Sequence, residues 1–325
     1  MSEPGSDLGV TVVICCYTER RWEQTCAAVK SALGQDPEPA QLLLVVDCNP
    51  ALAARARREL TGLTVLENEG PAGLSGARNT GLRAATQPIT AFLDDDAEAR
   101  PGWIAALVEP YASGNVVATG GAVHPLWPEL APSWMPPEFY WVVGCSYLGL
   151  PQSVSEVRNP IGANMSMRTR SALEAGGFDA KMGRQGTNTR GCEETELAIR
   201  MTARQPGSAV MYVPAAGVDH HVAPERLRLG YFIRRCWHEG QSKADVVRLA
   251  GAGSGLERER RHAALVIPAA VARELPRLAT GDGPAVARIM ANVAGLASAA
   301  GGYLTGRIQQ AARLGTVEPS GGNAP

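Results

Sequence analysis

Lysine is nearly missing from this chain of 325 residues: of 31 basic side chains only Lys30, Lys181 and Lys243 are lysines, and the other 28 are arginines. Where arginine is used so freely, a single arginine is weak evidence of function. Net charge is also lacking. The formal balance is −1 with charged residues at 19%, which excludes the basic footprint of a nucleic-acid binder. No C-x-x-C occurs among the seven cysteines, and their number is odd. Several sit in apolar runs, which predicts reduced core thiols and a cytoplasmic protein. No basic region followed by an apolar stretch opens the sequence, so no signal peptide is expected. No run of about 18 strongly apolar residues occurs, so no membrane-spanning helix is expected either. What is present is an apolar share of 45%, enough for one large core or two.

The order of elements is legible in the hydrophobic pattern. Val10 to Cys16 is a continuous apolar run, the mark of a strand buried on both faces. Trp22 to Leu33 has helical spacing. Leu42 to Val46 is a second buried strand ending in Asp47, and the turn-forming Asn49-Pro50 leads into a helix from Ala51 to Leu60. Leu63 to Leu66 forms a third strand, Gly70 to Gly76 a glycine-rich loop, Ala77 to Ala85 a helix and Ile89 to Leu93 a fourth strand. Strands alternating with helices predict a parallel α/β sheet, whose ligands bind beyond the carboxyl ends of the strands.

The second half reads differently. Trp103 to Ala112 is a predicted helix and Val116 to Val123 a strand. Residues 124–160 are rich in proline and aromatics (Trp127, Trp134, Phe139, Tyr140, Trp141, Tyr147), which suits either a lid or a loop with a small core of its own. Short helices are predicted at Arg170–Ala175 and Glu193–Arg204. From about Pro224 to Leu314 the pattern is helical, with breaks at Gly251–Gly255 and Gly281–Pro284. The division expected is a tail at 1–8, a catalytic domain at 9–240 split near 123, a helical extension at 241–315 and a tail at 316–325.

Three consecutive aspartates, Asp94-Asp95-Asp96, end the fourth strand. Carboxylates so close repel one another unless a cation or their own protonation relieves the clash. Hard divalent cations take oxygen ligands and bring a substrate's phosphates with them. A solvated acidic turn is the plain alternative. Asp47, at the end of another predicted parallel strand, shares the same sheet edge.

Six segments in order make the chain similar to the family 2 glycosyltransferases, over about residues 9–240. They are Val10–Cys16 with Tyr17-Thr18-Glu19, Val45-Val46-Asp47, Gly76-Ala77-Arg78-Asn79-Thr80-Gly81-Leu82 and Phe92-Leu93-Asp94-Asp95-Asp96. Gly162-Ala163-Asn164-Met165-Ser166 with Gly176-Gly177-Phe178-Asp179 follows, then Cys192-Glu193-Glu194-Thr195-Glu196-Leu197. The resemblance implies the GT-A fold, a Rossmann-like mixed sheet flanked by helices, here with a helical C-terminal extension. It also implies an inverting transfer from a nucleotide-diphosphate sugar, a UDP-sugar being favoured, helped by Mn²⁺ or Mg²⁺.

The resemblance carries roles onto residues. The aspartate triplet matches a D-x-D element, which makes Asp96 the direct metal ligand, Asp94 a second contact to metal and donor, and Asp95 a further donor-site residue. His220, in Val218-Asp219-His220-His221-Val222, is the candidate third ligand, with a structural histidine as the alternative. Glu193-Glu194 stands where the family usually carries Glu-Asp, so Glu194 is the expected base and Glu193 its neighbour at the sugar site. Acids are also favoured in a first helical turn by the dipole alone. Asp47 is the expected partner of the nucleotide base, or else the cap of the helix behind it. Tyr17, Thr18, Glu19, Arg78, Asn79 and Asn164 complete the expected donor site, with Arg78 either on the diphosphate or pinning Asp94 and a structural role as the alternative for Asn79. Arg226 and Lys243 join it from a segment folding over the diphosphate, or else belong to a solvated basic face.

Three competing classes fare worse. A sugar nucleotidyltransferase would show G-x-G-x-R after the first strand, where Cys15-Cys16-Tyr17-Thr18 stands. A processive polysaccharide synthase would carry Q-x-x-R-W and membrane spans, whereas Arg234-Arg235-Cys236-Trp237 has no glutamine at that offset. A non-catalytic binding module would not need both the aspartate triplet and Glu193-Glu194. For the acceptor, a hydroxylated small molecule is expected first, and a polyprenyl-phosphate-linked sugar at the inner membrane surface is the alternative. Ala285–Tyr303, flanked by Arg288 and Arg307, suits a packed hairpin, a homodimer interface or peripheral membrane contact.

Overall fold

The computed structural model describes residues 8–180, 191–250 and 259–315. The expected tails, except Leu8, and the break at Gly251–Gly255 lie outside the described residues. The first four strands fall where the apolar runs predict: β1 Val10–Cys16, β2 Gln41–Val46, β3 Thr64–Glu67 and β4 Ile89–Asp94. All three pairings among them are parallel, in the order β3-β2-β1-β4. Their connecting helices are α1 Trp22–Leu33, α2 Pro50–Glu59 and α3 Leu74–Ala84. β1, β2 and β4 are buried almost throughout because helices cover both faces. As a result Tyr17, Asp47 and the aspartate triplet all emerge at one sheet edge.

The helix α3 starts three residues earlier than its sequence pattern predicts. Gly76 therefore lies inside it, where any side chain would collide with the Pro71 carbonyl. Arg78 and Asn79 sit in its second turn rather than at its start. Their backbone N–H groups are not the free donors that an anion site at a helix N-terminus offers.

Beyond β4 the sheet becomes mixed. β5 Ala97–Ala99 and α4 Trp103–Val108 lead to β6 Val116–Leu126, and β7 Ser155–Val157 and β8 Asn164–Arg168 follow. After α5 Thr169–Glu174 and α6 Glu193–Arg204 comes the long β9, Ala209–His221. β8 runs antiparallel to β4 and β6, and β9 runs parallel to β6 with β7 and β5 against its two halves. The pairing of Ala97 with His220 brings the end of β9 beside the aspartate triplet.

The chain then turns helical, as expected. α7 Leu229–Ala250 runs unbroken through residue 240, the expected domain boundary, and α8 Ile267–Ala279 and α9 Gly283–Gly315 follow. α7 and α9 pack closely because Gly240 and Gly302 leave room for the opposing backbones. The aromatic segment has the small core expected as one of its two uses, and part of it also lines a cavity. Phe139 and Val142 join Phe232, Cys236, Ile267 and Ala291 in a small core, while Trp141 and Tyr147 face a cavity. No described helix is long and apolar enough to cross a membrane.

Candidate active site

Asp94, Asp95 and Asp96 leave β4 in three directions. Asp94, half-buried, accepts from Arg78 Nη2 at 3.2 Å. Asp95 and Asp96 are buried and share Arg21, whose Nη1 lies 2.9 Å from Asp95 Oδ1 and 3.0 Å from Asp96 Oδ2. The other oxygen of Asp96 is 3.3 Å from His220 Nε2, and Arg226 Nη2 stands 3.9 Å from Oδ2. Burial raises the Asp96 pKa, but His220, Arg21 and Arg226 outweigh it and hold the group well below the usual carboxylate range. Asp95 goes the other way. Burial and the neighbouring Asp96 charge push it up to about 7 despite Arg21.

Ligand atoms of Asp94, Asp96 and His220 lie within 4.8 Å of one another. Two carboxylates and an imidazole converging at that spacing fit Mg²⁺ or Mn²⁺. His221, by contrast, points to Glu98 Oε1 at 2.8 Å and takes no part.

Arg78 is the keystone between the two acidic pairs. Its side chain is 3% exposed, stacks on Phe178, and donates to Asp94, to Glu193 Oε1 at 2.9 Å and to the Gly162 carbonyl at 2.8 Å. Because its fork is consumed by acids of the chain itself, it acts on the site by pinning Asp94 and Glu193. Glu193 is 4% exposed, and its second oxygen has no partner among the described residues. The next residue, Glu194, faces the cavity. Burial and the Glu193 charge push its carboxyl up to about 7, against the lowering pull of its backbone hydrogen bond and Arg78. Cys192, just before this pair, has a φ of +83°. A side chain in that left-handed region costs about 1–2 kcal/mol, and such strain collects at functional positions.

Asp47 tightens the same edge, since its two oxygens accept from Asn68 Nδ2 at 2.6 Å and from the Gly73 amide at 2.8 Å. Asn49, not Asp47, caps α2. Tyr17 is exposed beside it, Thr18 caps the short turn before α1, and Glu19 pairs with Arg55 at 3.2 Å. Two expected donor contacts are corrected. Asn79 spends its amide on the backbone N–H and carbonyl of Phe178. Asn164 is wholly buried, donating to the Ala122 and Ala216 carbonyls and accepting from Trp103 Nε1. Both amides brace the fold, and Asn164, wholly buried, spends both of its N–H groups in doing so.

Arg78, Asp94, Glu193, Glu194, His220 and Arg226 open onto one cavity of about 440 Å³, whereas Tyr17, Thr18, Glu19 and Asp47 lie outside its lining. Its lining brings Asp94, His220 and Arg226 together with Glu193 and Glu194 and with the aromatic Phe139, Trp141 and Tyr147. Lys243 also lines it, ion-paired to Glu239 at 3.0 Å and to Glu259 at 3.1 Å. Arg21 and the Arg158–Glu259 pair escape a reading of the sequence, and of the α7 face only the basic residues of a helix show there. Arginine is too common in this chain to attract notice, and residues 158 and 259 are brought together only by the fold.

A sequence model of glycosyl transferase family 2 matches residues 11–174. The chain is 36% identical over 238 residues to a glucosyl-dolichyl phosphate glucuronosyltransferase of Haloferax volcanii, covering 72% of this chain and 76% of that one. It is 27% identical over 273 residues to the succinoglycan biosynthesis protein ExoM of Rhizobium meliloti, covering 78% and 84%. Among solved structures, the mannosyltransferase PcManGT of Pyrobaculum calidifontis, with GDP-Man and Mn²⁺, aligns with TM-score 0.58 at 20% identity over 91% of this chain and 86% of that one. GalNAc-T7, with UDP, GalNAc and Mn²⁺, aligns with TM-score 0.52 at 16% identity over 79% of this chain and 54% of that longer one. At such identities the likeness is one of fold, and the fold is GT-A.

Proposed function

The chain belongs to glycosyl transferase family 2, and from that premise we propose that it moves a sugar from a nucleotide-diphosphate sugar to an acceptor hydroxyl with inversion, Glu194 serving as the base. The observation that carries this reading is the Glu194 carboxyl itself. It lines the same cavity as Asp94 and His220, and burial with the Glu193 charge pushes its pKa up to about 7. A base near the working pH both accepts and releases a proton efficiently.

Tyr17, Thr18, Glu19 and Asp47 border the nucleotide, with a UDP-sugar as the expected donor. Asp94, Asp96 and His220 would hold Mn²⁺ or Mg²⁺, which supplies charge neutralisation for the departing diphosphate. Arg78 pairs with Glu193, and the Glu193 charge keeps the Glu194 carboxyl basic enough for its task. Glu194 orients the acceptor hydroxyl and takes its proton as the oxygen closes on the anomeric carbon. Arg226, beside Asp96, faces the donor side of the cavity.

For the acceptor, a lipid-phosphate-linked sugar is favoured over a free small molecule. The Haloferax relative is named for a dolichyl phosphate substrate, and Val286, Met290, Val293, Leu304 and Ile308 form an exposed apolar stripe on α9. The same stripe would otherwise suit a homodimer.

Calorimetry with Mn²⁺ and UDP-, GDP- and dTDP-sugars tests the donor, and binding of none of them would sink the reading. Pelleting with liposomes, against a concentration-dependent oligomer without lipid, decides how the stripe is covered. Full transfer activity in Glu194→Gln would remove the base assignment.

A further inference from the structure

Among the described residues, the part of the cavity wall built on α7 carries more positive charge than its own acids neutralise. On α7, Arg235, Glu239 and Lys243 stand four residues apart and share one face. Arg235 Nη1 donates to Glu239 Oε2 at 2.8 Å, and Lys243 bridges Glu239 and Glu259. Arg158 holds Glu259 through both its Nη atoms at 2.9 and 2.8 Å. Three cations thus share two carboxylates in a buried place, and all five residues line the cavity. An ion network built only for stability would balance its charge and spend its donors, because an unmatched buried group is costly. This one does neither. Arg235 is 8% exposed and stacked over Trp141, yet its Nε has no partner among the described residues.

We propose that this wall is a binding subsite for a phosphoryl group of the acceptor, anchored by Arg235 and Lys243. The proposal rests on the reading that the cavity receives the acceptor. A guanidinium edge beside an ammonium matches the three outer oxygens of a phosphoryl group better than a planar carboxylate or a neutral hydroxyl. The nearby acids do not oppose it strongly. Glu193 is paired with Arg78, Glu239 and Glu259 are paired within the wall, and Glu194 is the group whose charge is already suppressed. Arg226 and the exposed Arg260 also line the cavity and add positive potential to it. Cys192 Sγ lies 3.6 Å from Glu239 Oε1, so the wall touches the residue two before the base. A phosphoryl group held there would keep the acceptor's sugar over Glu194.

Calorimetry on the full chain with Mn²⁺ and UDP present tests this with four probes: decyl phosphate, glucose 1-phosphate, inorganic phosphate and the uncharged decyl glucoside. At least one of the two phosphate esters is expected to bind at least tenfold more tightly than decyl glucoside. Arg235→Gln should remove that advantage while UDP binding stays within twofold. Arg260→Gln, at an exposed position, should weaken the esters less, by about two- to threefold, and protects the test if Arg235→Gln does not fold. Preference for decyl phosphate identifies a lipid carrier, and preference for glucose 1-phosphate a soluble sugar phosphate. Equal binding of esters and glucoside, or unchanged ester binding in both variants, overturns the proposal. Binding of inorganic phosphate alone also overturns it, because an adventitious ion would do the same. UDP is titrated separately. Its failure alongside intact ester binding would remove the donor reading and leave the subsite standing.

Discussion

At the end of β4 and at the start of α6 the chain carries two adjacent acids, and in each pair the fold drives the carboxyls apart. Asp96 is held ionised by His220, Arg21 and Arg226, while Asp95 rises to about 7. Glu193 is paired with Arg78, while Glu194 likewise rises to about 7. The causes are the same in both places: burial first, then the charge of the neighbour. The two raised acids nevertheless meet different surroundings. Asp95 is closed off under Arg21, with Oδ2 facing no partner among the described residues, whereas Glu194 opens onto the cavity. A perturbed carboxyl is therefore common to both sites, and access to a substrate separates a base from a strained structural acid.

The most direct way to break this comparison is to neutralise each raised acid in turn. Glu194→Gln is expected to cut the transfer rate by about 10²–10⁴-fold, the usual worth of general base catalysis, with donor affinity nearly unchanged. Single-turnover kinetics and donor calorimetry together check it. If Asp95→Asn gave the larger rate loss, the roles would have to be exchanged.

The keystone between the pairs comes next. Arg78→Met leaves Glu193 buried and Asp94 without their shared partner. Breaking a buried ion pair from one side costs about 3–5 kcal/mol, and chemical unfolding should read that loss. A loss below about 1 kcal/mol would mean that Arg78 does not couple the two sites. Rescue is not expected from Arg78→Lys, since one ammonium cannot serve two acids and the Gly162 carbonyl at once.

How far the sequence reveals these features depends on how local each one is. β1, α1 and α6 fall at their expected bounds because apolar runs, helical periodicity and a helix start are written in consecutive residues. Asp94 and Asp96 are legible for the same reason: acids directly after a buried strand must emerge at the sheet edge. In the sequence His220 is evenly balanced between a ligand and a structural histidine, and only the pairing of β5 with β9 puts it beside Asp96. Asn79 and Asn164 mislead because an amide suits a ligand and a backbone brace equally well. The Arg235–Glu239–Lys243 face is half visible as a cluster in a helix. What completes it, Arg158 with Glu259, joins positions 101 residues apart.

A pH profile sharpens the comparison without changing a residue. If Glu194 is the base, the rate should rise about tenfold per pH unit below about 7 and level off above it. Stability should move oppositely. A carboxyl raised from 4.5 to about 7 on folding binds its proton more tightly in the folded state, so stability falls as pH rises through that window. Glu194→Gln should flatten both the rate profile and its part of the stability slope. A rate profile unchanged in shape for the residual activity of that variant would assign the ionisation elsewhere.

The smallest effect is expected at Asp95, and it is the most discriminating. An asparagine side chain matches the shape of a protonated Asp95 and still offers an oxygen to Arg21, which keeps Asp96 at 3.0 Å. Asp95, expected from the sequence at the donor site, is instead buried against Arg21 and outside the cavity lining, so transfer activity of Asp95→Asn should stay within about threefold of the parent. In the metal-free chain, with chelator present, the stability change should depend on pH. Near pH 5 the folded parent's carboxyl and the variant's amide are both neutral, and only the part of the window from 3.8 to 5 has been crossed, so the change should be smaller. Near pH 8.5 the parent must either bury a second charge beside Asp96 or hold a costly proton, and the variant does neither. The variant's melting temperature relative to the parent should then be clearly higher at pH 8.5 than at pH 5. A variant equally destabilised at both pH values would mean that the ionised Asp95 is a full partner of Arg21, and that the β4 pair, unlike the α6 pair, is not split.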